Sequence, residues 1–188
     1  DDFTFSGNAT VKGTDAGSYP MQLKPADFTN TSENFTNVEF VIVDGTLEIA
    51  KRAVTLTSAT DEKEYDGTAL TNNNVTVGGD GFVEGEGATY TVTGTQTAEG
   101  SSDNTFTYTL NDGTKAANYE IETVEGTLTV TPVTDKVTVT ITENSGSAKY
   151  DGSEKTVTGY TVSIDNELYT EDDFTFSGNA TVKGTDAG

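Results

Sequence analysis

The sequence predicts an all-β protein made of tandem small β-sandwich (Ig-like) modules stacked end to end. Apolar and polar residues alternate with period two over runs of four to seven residues, and Gly, Asp and Asn punctuate the runs. Of 188 residues, thirty-seven are Thr and seventeen are Phe or Tyr. Branching at Cβ costs rotamer freedom against a helical turn but little on a pleat, so this excess suits half-buried strands. Period-two alternation with threonine on the polar face is the pattern of antiparallel strands with one wet side.

Taken in order, Phe3 and Phe5 open the first alternating run. LKPADFTNTSENF, Leu23 to Phe35, departs from the pattern, and Pro25-Ala26-Asp27 predicts a single helical or 3-10 turn that buries Phe28. Val38, Phe40 and Ile42 and then Leu47 and Ile49 alternate again. In the middle of the chain the predicted inward set is Val54, Leu56, Tyr90, Val92, Phe106, Tyr108, Leu110, Ile121, Leu128 and Val130. Val137, Val139 and Ile141 alternate between threonines beyond it. Asp44-Gly45, Asp66-Gly67, Asp112-Gly113, Glu125-Gly126 and Asp151-Gly152 each set an acidic residue before glycine, where a positive φ is cheap, and so predict turns.

Repeats set the domain organisation. DDFTFSGNATVKGTDAG at 1–17 recurs letter for letter at 172–188, a period of 171 residues. A weaker repeat lies inside that period. KEYDGT at 63–68 answers AKYDGS at 148–153, 85 residues on; GTQTAEGSSDNTFTYTL at 94–110 aligns without a gap on GNATVKGTDAGSYPMQL at 7–23; NYEIETVEGTLTV at 118–130 matches NVEFVIVDGTLEI at 37–49. Two diverged module types therefore alternate. Residues 51–131 are expected to be a complete first-type module, 1–50 the rear part of a second-type module, and 132–188 the front part of another. The joints, LEIAKRAVTLT at 47–57 and LTVTPVTDKVTVT at 128–140, hold one proline and no glycine, too little for a flexible coil, which predicts a semi-rigid rod. Neighbouring copies of the repeat, joined head to tail, are the expected partners.

Ten basic residues against 31 acidic ones give a net charge of −21, a field opposed to nucleic acid and to anionic membrane surfaces. The longest purely apolar run, Phe40 to Val43, is far too short to insert in a bilayer. Histidine, cysteine and tryptophan are absent, so imidazole bases, thiol nucleophiles, disulfides and Cys/His metal sites are excluded. No enzyme activity and no cofactor are expected. The acidic clusters at 62–66 and 171–173 lack the converging oxygens of a calcium loop and read as solvated faces.

The sharpest local motif is Tyr65-Asp66-Gly67, repeated as Tyr150-Asp151-Gly152. Tyr could stack on a sugar with Asp as its hydrogen-bond partner. The competing reading is a buried Tyr anchoring a turn whose Asp bonds the backbone and whose Gly takes positive φ. Recurrence in two otherwise diverged modules favours the turn. A covalent Lys–Asn isopeptide cross-link beside a buried carboxylate would use Lys51 or Lys136 with Asn118 or Asn37.

With KEYDGTAL at 63–70, GEGATYTVTGTQT at 85–97 and NYEIETVEGTLTVT at 118–131, the chain resembles the YDG and MBG-type repeat modules of large bacterial surface proteins. The resemblance implies β-rich modules stacked between a distal binding region and a wall anchor, extracellular exposure on the bacterial cell surface, and no catalytic residues. The expected function is a structural spacer or stalk of a surface adhesin or filament, with host glycan or mucin met by regions outside this sequence. The alternative is an array whose modules each grip glycan or mucin weakly; aromatics confined to inner faces would count against it.

Overall fold

The computed structural model describes residues 2–187 and is all-β; its only helical pieces among those residues are single 3-10 turns at Pro25–Asp27, Ala116–Asn118 and Glu171–Asp173. The first of these is the turn expected before Phe28. Asp27 Oδ2 accepts the Lys24 amide at 2.8 Å, and Phe28 is half-buried behind it.

At the N-terminal end β1 (Phe3–Phe5) pairs with β3 (Phe28–Asn30), and β2 (Gly17–Pro20) with β4 (Thr46–Ile49), both antiparallel. Between 51 and 131 lie β5 (Arg52–Ser58), β6 (Asp61–Glu64), β7 (Val75–Gly79), β8 (Ala88–Val92), β9 (Gly100–Asn104), β10 (Phe106–Leu110), β11 (Tyr119–Val124) and β12 (Gly126–Thr131). They form two three-stranded sheets, β11-β5-β7 and β6-β12-β9, and the ribbon β10-β8. Beyond them β13 (Val139–Glu143) pairs with β15 (Tyr160–Ile164), and β14 (Lys155–Thr158) with β16 (Thr181–Gly184).

Alternation led to an expectation of antiparallel strands; two pairings correct it. β11 runs parallel to β5 over six residue pairs, and β12 runs parallel to β6 over four. The physical reason is that each of these two segments bends once and changes sheet. The chain passes from β5 to β6 through Ala59 and Thr60, and from β11 to β12 through Glu125, so the first and last strands travel side by side through both sheets.

A buried polar knot holds the bend. Ser58 Oγ donates to the Asn104 carbonyl at 2.6 Å and accepts the Gly126 amide at 2.9 Å. Asn104 Nδ2 donates to the carbonyls of Ala59 and Asn72, each at 2.9 Å. Gly126 therefore serves a different purpose from the positive-φ turn expected of it: a Cβ there would stand 2.4 Å from the Ala59 carbonyl oxygen, so glycine admits the close approach of two backbones. Gly45, likewise expected to take positive φ, does not, whereas Gly67, Gly113 and Gly152 do.

Two apolar clusters lie on either side of the knot. Val54, Leu56 and Tyr119 are buried with Val75, Phe82, Tyr90, Phe106, Tyr108 and Ile121 packed on them. Leu70, Leu128 and Val130 are buried with Tyr65 against them. Of the predicted inward set, Val54, Leu56, Leu128 and Val130 are fully buried, and Tyr90, Val92, Phe106, Tyr108, Leu110 and Ile121 are half-buried. Every buried residue described lies between 54 and 130.

The flanking strands preserve part of the pattern. β13 and β15 pair Val139 with Ile164 and Glu143 with Tyr160, which is the β5·β7 register of Val54 with Gly79 and Ser58 with Val75 moved on by 85 residues. β2 and β4 do not follow it. The repeat alignment of β9·β12 would set Gly17 beside Gly45, but Gly17 stands opposite Ile49, four residues away.

Candidate functional site

The Tyr-Asp-Gly motif is a turn built around a carboxylate. Asp66 Oδ1 accepts Lys63 Nζ at 2.6 Å, the Thr68 hydroxyl at 2.8 Å and the Thr68 amide at 2.9 Å, and Gly67 takes φ +77°. Lys63 above all, and then Thr68, hold the Asp66 carboxyl well below the usual range. In the second copy Asp151 Oδ1 accepts the Ser153 hydroxyl at 2.7 Å and amide at 3.0 Å, Oδ2 accepts Lys155 Nζ at 2.7 Å, and Gly152 takes φ +80°. Lys155 and then Ser153 pull this carboxyl down to about 2. Replacement of Thr68 by Ser153, and of Lys63 by Lys155 on the other side of the turn, keeps the same chemistry.

The tyrosines differ. Tyr65 packs on Leu70, Leu128 and Val130, and its amide donates to the Thr131 carbonyl at 2.8 Å. Tyr150 is 67% exposed. The anchored-turn geometry is thus present at 65–67, whereas at 150–152 the turn forms without its anchor.

Among the residues considered for a covalent link, Lys51, Lys136 and Asn37 are exposed. Asn118 is engaged elsewhere: its Nδ2 donates to Asp15 Oδ1 at 2.9 Å, and its Oδ1 accepts the Ala16 amide at 2.8 Å. Lys115 Nζ closes on Asp15 Oδ2 at 2.8 Å. Asn118 and Lys115 together lower the Asp15 carboxyl, and Asp15 raises the Lys115 ammonium. This joint between the N-terminal segment and the middle of the chain escaped sequence reading, because about a hundred residues separate its partners and no spacing rule links them.

Tyr119 supports the same end of the molecule. Its hydroxyl donates to Glu86 Oε2 at 2.5 Å and accepts the Val83 amide at 3.1 Å, tying down the 80–87 loop. Burial first, and Glu86 second, push its phenol up.

A cleft of about 530 Å³ lies between 146–150 and 182–187 and is also lined by Lys155 and Val157. In the repeat alignment these two walls answer β6 and β9, the strands that flank β12 in the middle of the chain. Three lysines, Lys149, Lys155 and Lys183, face it. Among the described residues no group of three or more His, Cys, Asp or Glu side chains gathers in a metal-binding arrangement, and no helix is long and apolar enough to cross a membrane. No family model, no curated protein and no solved structure matches the chain.

Proposed function

We propose that the chain is a run of non-catalytic β-sandwich modules, stacked end to end, that serves as a spacer or stalk in a bacterial surface adhesin or surface filament, outside the cell. The observation that carries the reading is the parallel pairing of the first and last strands of 51–131. Because β5 lies parallel to β11 and β6 to β12, the chain enters at one end of the paired strands and leaves at the other. Thirteen residues from Arg52 to Glu64 at about 3.3 Å each span roughly 40 Å. Tension applied along the chain then loads the ladder hydrogen bonds of both pairs in shear, all together rather than one by one.

The acidic surface and the resemblance to YDG and MBG-type surface modules agree with this role. Within 51–131 the placement of aromatics agrees too, since all six Phe and Tyr there belong to the two apolar clusters, whereas outside it Phe35, Tyr150 and Phe176 are exposed.

Force spectroscopy on the chain held at its two ends tests the reading. A single high-force event releasing the 51–131 segment is expected, weakened in a variant with Thr55→Pro, which removes a β5 amide from the ladder. Unfolding at low force, or saturable retention of the chain on a glycan or mucin array, would overturn it in favour of a binding array.

A further inference from the structure

We propose that residues 38–49 of one copy of this chain complete the β-structure of residues 137–187 in a second copy, Val38–Val43 as a parallel strand on the free edge of β13 and Thr46–Ile49 within the cleft. The inference rests on the internal repeat, on the unpaired segment Val38–Val43 and on the open cleft; it requires Thr46–Ile49 to leave β2, and it does not depend on the stalk role.

The middle of the chain supplies the template. There β5 is the central strand of β11-β5-β7, and β12 is the central strand of β6-β12-β9. At 139–164 the equivalent of β5·β7 is formed in register, but among the described strands β13 has only β15 beside it. The segment aligned with β11 is Val38–Val43, which pairs with nothing among the described strands, and Val41 and Val43 are 76% and 91% exposed. The segment aligned with β12 is Thr46–Ile49, held in the displaced register on β2.

Transferring the β11·β5 register by the alignment sets Phe40 beside Val139 and Ile42 beside Ile141. Transferring the β12 registers sets Leu47 between Gly146 and Asp186, and Ile49 between Ala148 and Gly184. Gly146, Ala148, Gly184 and Asp186 all line the cleft. Four strand-edge residues required by the alignment are therefore already the walls of an open slot.

Chemistry on both sides matches. Phe40 packs against Phe3 and Phe28, ring centroids 5.9 and 5.6 Å apart, in a cluster left partly exposed. Phe3 and Phe40 align with Tyr90 and Ile121, which pack on Val54 and Leu56; Val139 and Ile141, aligned with Val54 and Leu56, would close the Phe cluster in the same way. Tyr150, aligned with Tyr65, gains Leu47 and Ile49 to pack on, as Tyr65 has Leu128 and Val130. The donor segment carries Glu39, Asp44 and Glu48; in the cleft Lys155 and Lys183 are paired with Asp151 and Glu154, which leaves Lys149 as the cation to meet them. A heterologous contact of this kind extends head to tail.

The absence of native cysteine makes a register test clean. Glu122 faces Thr55 across β11·β5, so Val41 should face Thr140 between copies. Chains with V41C and chains with T140C, mixed and mildly oxidised, should give disulfide heterodimers about tenfold faster than V41C mixed with T138C. Paired parallel positions lie within disulfide reach, and a two-residue slip adds about 6.6 Å along the strand. In sedimentation the unaltered chain should gain mass with concentration, and L47D should abolish the gain while leaving the thermal unfolding of the 51–131 core in place. Equal yields at the two registers, a disulfide closed within one chain in the V41C/T140C double variant, or a monomer at every concentration would overturn the pairing. A monomer that keeps its high-force event would overturn it while leaving the stalk reading intact.

Discussion

Residues 51–131 and the segments that flank them carry aligned sequences, yet among the described residues only the former bury side chains completely. Leu56 is 0% exposed and its aligned residue Ile141 is 46% exposed, although both sit at the same place in the same two-stranded register. The difference lies in what covers them. β5 has β11 on its other edge and a buried apolar cluster against its face; β13 pairs only with β15 among the described strands and belongs to neither buried cluster. A strand pair is thus specified locally, and burial is specified by the third strand.

The seventeen-residue repeat shows the same thing without any change of sequence. In the first copy Phe3–Phe5 is a strand, paired with Phe28–Asn30, and residues 10–13 are not; in the second, Thr181–Gly184 is a strand, paired with Lys155–Thr158, and residues 174–176 are not. Identical letters adopt the structure that the available partner supports, which is how tertiary context overrides β-propensity.

The sharpest way to break the comparison is to truncate the aligned pair. Leu56→Ala should cost about 4 kcal/mol in denaturant unfolding of the 51–131 core, because a fully buried leucine leaves a cavity behind. At dilution that keeps copies apart, Ile141→Ala, at a half-exposed site, should cost less than about 0.5 kcal/mol. Equal losses at that dilution would mean that β13 is covered within its own chain, against the pairing between copies.

Glycine gives the next contrast. Gly126→Ala should destabilise by about 3 kcal/mol, since its Cβ would meet backbone atoms of Ser58 and Ala59 at 2.4 to 2.5 Å that have no room to move. Gly45→Ala, at the aligned position, meets nothing within 4 Å and should be close to neutral. Calorimetry of the two variants side by side measures how far the bend of 51–131 is reproduced at 45. A large loss at both would show that Gly45 already sits in an equivalent bend.

The polar knot is expected to matter less. Asn104→Ala should cost about 2 kcal/mol by leaving the Ala59 and Asn72 carbonyls without their donor. The aligned residue is Gly17, which has no side chain to make such a stitch. Chemical unfolding of Asn104→Ala within about 0.5 kcal/mol of the parent would show that water replaces the amide.

These contrasts mark what the sequence could and could not reveal. Val54, Leu56, Leu128 and Val130 were legible as core from alternation, and Asp66-Gly67 as a turn from its chemistry. Strand direction was illegible, because period two places side chains identically in parallel and antiparallel ladders. So was Asn104: a polar residue at the end of GSSDN looks like a loop until the carbonyls of Ala59 and Asn72 converge on its side chain. Tyr119, by contrast, could have been found, since it follows Asn118 in the same alternating phase as Ile121.

The smallest effect separates turn chemistry from burial. Asp66 and Asp151 sit in equivalent cradles, one beside a closed core and one beside an open cleft. Each carboxyl is lower in the folded chain than the value of about 3.9 expected unfolded, so each favours the fold above that value and loses its contribution as pH falls through the folded one. For Asp151 the loss falls between about pH 4 and about 2, while Asp66, with three donors on a single oxygen, holds its charge to more acid pH. Carboxyl-carbon NMR titration should therefore show Asp151 protonating before Asp66. Lys63→Ala should move Asp66 up toward the ordinary aspartate range, and Lys155→Ala should do the same for Asp151, each leaving the other unmoved. If Asp151 titrates as an ordinary aspartate in the unaltered chain while Asp66 remains low, the turn at 150–152 depends on the burial that Tyr65 has and Tyr150 lacks, and the two copies of the motif differ in stability as well as in packing.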